Sequence, residues 1–171
     1  MASIREMMLL NQANFSTVAK DLEDLVSKIF SNQKILKLLY YNTSDCLNNP
    51  DIVDNNILNI IARDNIRIIP RLTIPENLGS YIIITFDQFT PNIENPQYMD
   101  NMLLIDVLCP TDLWIMDNYM LRPFKIMHEI NLLVDKRKFN GIGNVNFIGA
   151  NLLNLGDYTG YQLAYSVIND V

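Results

Sequence analysis

One histidine and two cysteines are all the imidazole and thiol chemistry that 171 residues offer. His128 stands alone, and catalysis by such a group needs a nucleophile within reach and a carboxylate to orient the ring. Its neighbour Glu129 points elsewhere on a helix, because adjacent helical residues do not face one another. Cys46 and Cys109 are far apart and form no CxxC pair, so a zinc site of Cys and His ligands lacks its ligands. Asp51, Asp54, Asn55 and Asn56 could hold a cation weakly, but amide- and acid-rich clusters of this kind usually form solvated turns. Gly141-Ile142-Gly143 precedes a strand instead of a helix, which removes the reason for a dinucleotide fingerprint, and no P-loop lysine pattern occurs. A pair of carboxylates meeting only in space stays open as a hydrolytic site, with nothing to single one out. The expectation is a chain that is not an enzyme and carries no cofactor or metal.

The elements that would position these residues are legible in the apolar spacing. Val18, Leu22, Leu25, Val26, Ile29 and Phe30 recur every three or four residues and predict a helix with Ser16 as its N-cap. Ile35, Leu38 and Leu39 predict a second short helix ending near Tyr41. Residues 42–56 read as a loop, Ile57 to Ala62 as a helical turn, and Ile66 with Ile68 as a brief edge strand before Pro70, Pro75 and Gly79. Tyr81 to Phe86 is apolar on both faces, as a covered central strand is. Met102 to Cys109 puts Leu103, Ile105, Val107 and Cys109 on one side and Asp106 on the other. The 15-residue stretch between them, Asp87 to Asn101, is long for a hairpin and reads as a loop with a role. Met120 to Lys136 predicts a helix whose buried face is Ile126, Met127, Ile130, Leu133 and Val134. The basic run Lys136-Arg137-Lys138 falls at its C-terminal end, where cations favour the dipole. Val145 and Phe147 open one further strand, and Tyr161, Leu163, Tyr165 and Val167 line the last. The order predicts one α+β domain over residues 1–171, helical over 15–62 and sheet plus helix over 66–171, with a mainly antiparallel sheet and helices packed on it.

Composition narrows the partners. The net charge is −6, with 13 basic against 19 acidic residues. Affinity for nucleic acid comes largely from basic groups that displace phosphate counterions, so this balance argues against gripping DNA or an anionic membrane. Phe86, Phe89, Trp114, Tyr119 and Tyr158 are not interleaved with Lys or Arg, as a base-stacking platform would require. Exposed aromatics of this kind suit a protein interface instead. Met1-Ala2-Ser3-Ile4-Arg5-Glu6 lacks the basic-then-apolar pattern of a secretory signal, and no apolar run reaches the roughly 20 residues that cross a bilayer. Synthesis in a host cytoplasm without membrane contact is the expectation.

Tyr81-Ile82-Ile83-Ile84-Thr85-Phe86, Leu121-Arg122-Pro123, Gly141-Ile142-Gly143 followed by Phe147, and Gly160-Tyr161-Gln162-Leu163-Ala164-Tyr165 together resemble the tail terminator and neck proteins of tailed bacteriophages. The likeness covers about the last 90 residues and rests on loose apolar and turn patterns. It implies a tail-terminator-like fold and a virion structural protein of the neck or tail. Such a subunit forms a ring, usually six-fold, that joins the tail tube to the head connector. Implied partners are other copies of the chain and neck, connector, tube and sheath proteins, with DNA passing nearby unbound. No catalytic residue comes with the resemblance. Rings use head-to-tail contacts between unlike patches, and two stretches suit that role: Asp87–Asn101, with Phe89, Ile93 and Tyr98, and Leu152–Asp157, with Leu152 and Leu155. Trp114 and Tyr158 complete the expected interface residues. Ordinary surface loops are the alternative for both stretches. Another head-completion or tube component, a monomeric adaptor, and a small hydrolase of scattered carboxylates are the competing readings.

Overall fold

The computed structural model describes residues 15–68, 79–91, 98–135, 138–139 and 143–170. Three helices open it. Helix α1 spans Phe15–Phe30 and buries Val18, Leu25 and Ile29. It is already helical at Phe15, so Ser16 lies inside the first turn and not at the cap. Helix α2 spans Gln33–Tyr40, with Ile35, Leu36, Leu38 and Leu39 buried. Its cap is Asn32, whose side-chain oxygen accepts from the backbone N–H of Lys34 and Ile35. A 3-10 turn at Cys46–Asn48 interrupts the expected loop. Helix α3, Asn55–Ile60, then starts where Asp54 Oδ1 accepts from Asn56 N at 2.8 Å, and runs on into a π turn over Ile61–Asn65.

The sheet carries six described strands in the order β1-β2-β3-β6-β5-β4. They are β1 Ile66–Arg67, β2 Tyr81–Pro91, β3 Tyr98–Pro110, β4 Lys138–Phe139, β5 Gly143–Leu155 and β6 Tyr158–Asp170. Only β1 runs parallel to its neighbour; the other pairings are antiparallel. The α+β class read from the sequence is therefore the observed one, with β1 at the edge and β2 covered. Pro70 and Pro75, Ile93, Lys136, Arg137, Gly141 and Ile142 lie outside the described residues.

Two expected loops are strand instead. Pairing of β2 with β3 continues past Asp87 to Thr90↔Asp100 and Pro91↔Met99, across an irregularity at Gln88 and Phe89. Gln88 takes the left-handed backbone there, with φ 57°. Within the expected loop, Asp87–Pro91 and Tyr98–Asn101 are thus strand, and residues 92–97 lie outside the described residues. Likewise β5 continues through Leu155, leaving a two-residue turn of Gly156 and Asp157. Gly156 has φ +66°, which glycine adopts without a Cβ penalty.

Helix α4 spans Arg122–Val134, shorter at both ends than expected, because Leu121 and Asp135 are extended. Pro123 sits in its first turn, where a missing N–H costs nothing. Ile126, Ile130 and Val134 pack on Ile82, Ile84, Leu103, Ile105, Val107, Cys109, Leu163, Tyr165, Val167 and Val145, forming the main core between helices and sheet. On the opposite sheet face Tyr81, Ile83, Leu108 and Tyr158 form a smaller cluster with Leu153 and Leu155. The bulge between Phe147 and Gly149 explains how β5 serves both faces. An extra residue inverts the alternation. Val145 and Phe147 face the helices before it; Ala150 and Leu152, opposite Leu163 and Tyr161, face them after it.

Candidate assembly surface

A loop tied by backbone hydrogen bonds connects β3 to α4. Its ends are tied by Thr111 N–H donating to Asp157 O at 3.0 Å and Arg122 N–H donating to Trp114 O at 2.8 Å. Its middle is tied by Met116 N–H to Met120 O at 2.7 Å and Asp117 N–H to Ser44 O at 3.0 Å. Within that frame Asn118 and Tyr119 both have φ 58°. Non-glycine residues held left-handed cost roughly 1–3 kcal/mol each, so the surrounding hydrogen bonds determine the shape of this turn. The product is a fixed presentation: Tyr119 is 92% exposed and Ile115 64%.

Beside this loop runs an aromatic row. The Tyr161 ring lies 6.4 Å from that of Trp114 and 5.3 Å from that of Phe124. Trp114 Nε1 donates to Thr159 O at 3.3 Å. Leu152 pairs with Tyr161 across the strands and stays 66% exposed. Phe124 is also exposed, as is Leu132 two turns further along α4. Aromatic and aliphatic groups fixed at a surface are the usual anchors of protein interfaces.

The expected interface residues fall unevenly on this surface. Trp114, half-buried, and Leu152, exposed, come together through Tyr161. Phe89 is exposed on the β2 arm, its ring 6.3 Å from Phe86. Tyr98 opens β3 opposite Asp170. Leu155 and Tyr158 belong to the small cluster on the far sheet face, where Tyr158 is only 6% exposed and stacks edge-on against Tyr81 at 5.7 Å. Sequence reading missed Phe124, Ile115 and Tyr161 as surface groups. The signal was present for Phe124, since Phe124, His128 and Leu132 recur every fourth residue on the side of α4 away from the core.

The surface is held from beneath by α4, which grips both ends of α2. Arg122 is fully buried, and its guanidinium donates to Leu113 O (2.9 Å), Leu38 O (2.8 Å), Tyr41 O (2.9 Å) and Thr43 O (2.6 Å). The final carbonyls of a helix have no partner within it and carry its negative dipole end, so a cation suits them. Seven residues along, Glu129 accepts from Asn32 Nδ2 and from Lys34 Nζ, both at 3.1 Å. It thereby steadies the N-cap of α2. Seven residues advance a helix by about 10 Å and return to nearly the same face, which matches the roughly 12 Å length of the eight-residue α2. Burial raises the Glu129 carboxyl, but the donors Asn32 and Lys34 prevail and hold it below the ordinary glutamate range.

The two cysteines and the acids Asp51 and Asp54 have structural places. Burial pushes Cys46 up and Cys109 to about 12, leaving protonated, inert thiols. Asp51 pairs with Lys37 at 2.8 Å while Asp54 caps α3, and His128 is exposed. Among the described residues no three or more His, Cys, Asp and Glu gather as metal ligands would, and no helix is long and apolar enough to cross a membrane.

The family model of YomW matches residues 32–167. The chain belongs to the YomW family. The YomW span starts at the cap of α2 and runs to the core end of β6, taking in the α2–α4 clamp, the exposed loop and the aromatic row. The family is phage-associated, and the chain is accordingly a phage-related protein. No curated protein matches it.

Proposed function

We propose that this YomW-family chain is a virion structural protein of the phage neck or tail, a ring subunit of the tail terminator kind joining tail tube to head connector. The observation that carries the reading is the uncovered row Trp114–Tyr161–Phe124 with Leu152, mounted beside a loop of fixed shape. Covering one large apolar side chain contributes roughly 1.5–3 kcal/mol. Burying Leu152 and Phe124 at each junction of a closed ring therefore supplies useful association energy before any polar contact is counted. The phage-associated family and the order of helices, hairpin, helix and hairpin support the same reading. The net charge of −6 suits a passage through which DNA slides without being held.

Antibody or gold labelling of purified particles tests the placement: label at the head–tail junction is expected. Image averaging of the purified chain, alone and with tube protein, tests the ring. Leu152→Asp and Phe124→Asp are expected to lose the ring while keeping the monomer's thermal midpoint. Label absent from particles, or found on the capsid shell, defeats the reading.

A further inference from the structure

Exposed charge is uneven along α4, whose Arg122 and Glu129 are themselves buried. No Lys or Arg occurs in residues 41–60, 108–121 or 151–160. These stretches meet at the N-terminal end of α4 through the bonds of Asp117 to Ser44 and Thr111 to Asp157. Four exposed acids project there: Asp45, Asp112, Asp117 and Asp157. At the other end of α4 a shallow depression of about 560 Å³ is lined by Ser27, Lys28, Ser31, Gln33, Lys34 and Leu133. Lys34 bonds Glu129 yet keeps its side chain 67% exposed, and an ammonium has three donors, so it has capacity for a second acceptor. An acidic knob tipped by Ile115 and Tyr119 thus stands at one end of the helix and a basic, partly apolar depression at the other.

We propose that the Thr111–Leu121 loop of one copy, through Asp112, Asp117 and Tyr119, docks in the Lys28–Lys34 depression of a second copy. The loop cannot fill its own depression. Arg122 and Leu133 are eleven residues apart on α4, about 16 Å along the axis, and the loop is fixed at the Arg122 end. The contact is therefore between unlike patches, which is what a ring or an open filament requires. Opposite charges brought together at such a contact set its register and exclude the like-charged pairings of acid end on acid end. This inference rests on the self-assembly reading and specifies its geometry.

The test couples carboxylates to lysines with a zero-length carbodiimide in an equal mixture of isotope-labelled and unlabelled full-length chain. Mixed-isotope links joining Asp112 or Asp117 to Lys28 or Lys34 are expected. Asp117→Lys alone and Lys28→Glu alone are each expected to weaken self-association about tenfold or more, and mixing the two variants to restore it in part. Both sites are exposed, and an unchanged thermal midpoint verifies the fold of each variant. Links that map elsewhere, association indifferent to both reversals, or a monomer at every concentration would each overturn the inference. Labelling at the particle neck is read separately, so a chain placed there whose poles fail to link loses this contact geometry and keeps the proposed role.

Discussion

Replacing Arg122 by Met is expected to destabilise the chain by about 3–4 kcal/mol, and the size follows from what the guanidinium holds. Four carbonyls from three segments accept from it: Leu38 and Tyr41 at the end of α2, Thr43 beyond it, and Leu113 ahead of α4. Hydrogen bonds to a charged group contribute roughly 1.5–3 kcal/mol each, so four give about 6 kcal/mol at the low end. Against this, the mutant is relieved of burying a cation that has no carboxylate partner among the described residues, a cost of several kcal/mol. Thr43 is exposed and regains water when the arginine goes, whereas the buried Leu38 carbonyl stays unsatisfied. The balance gives the figure above, equivalent in a chain of this size to a fall of roughly 10 °C in the thermal midpoint. Arg122→Lys keeps the charge but reaches fewer carbonyls and is expected to lose about 2 kcal/mol. Urea unfolding followed by far-UV circular dichroism gives both values. If the Met variant lies within 1 kcal/mol of the parent, the carbonyls find other donors and the clamp argument is refuted.

Other expectations concern pH, packing and reactivity. Glu129 titrates below its ordinary range in the folded chain, so its contribution is fully present above that range and lost as pH falls on through the lower folded-state value; Glu129→Gln should flatten the acid limb of a stability–pH profile. Asp106 is the opposite case. Burial raises its carboxyl although Gln162 Nε2 donates to it at 2.8 Å, so the charge costs stability at neutral pH. Asp106→Asn should therefore stabilise by on the order of 1 kcal/mol at pH 7, with the gain vanishing below the ordinary aspartate range. At Gly160 an added Cβ would collide with the backbone oxygen of Val107, while at Gly149 it meets nothing within 4 Å. Gly160→Ala should cost about 3 kcal/mol or prevent folding, and Gly149→Ala should be nearly silent, as thermal unfolding will show. Both thiols should resist Ellman's reagent until denaturant is added; rapid labelling of Cys109 in the native chain would contradict its buried, protonated state.

The helices and the central strands were readable because one face of each is apolar and the spacing betrays it: Leu25 and Ile29 on α1, Ile126 and Ile130 on α4, Leu103 to Cys109 on β3. The hairpin arms were not. Asp87-Gln88-Phe89-Thr90-Pro91 and Asn151-Leu152-Leu153-Asn154-Leu155 carry little alternation, and they are strands because a neighbouring strand supplies partners. Leu152 and Leu153 read as a loop since the bulge before them had already reversed which parity faces inward. Arg122 was invisible for a different reason. An arginine is normally exposed, and three of its four partners lie 79 to 84 residues away in α2 and the turn after it. One local hint existed: a cation in the first turn of a helix opposes the dipole, so it needs a reason to be there. The aromatic row was half legible, as Trp114 and Leu152 without the Phe124 and Tyr161 that join them.

Because α2 is gripped at both ends by side chains 84 and 97 residues downstream, it has no stable resting place during translation until the ribosome has released α4. At roughly 5–20 residues per second that interval lasts about 4–20 s. Throughout it the apolar side of α2 has only α1 and the turns that follow it as cover, and nascent-chain chaperones have their opening. Fragments ending ahead of Arg122 should accordingly be proteolysed rather than accumulate.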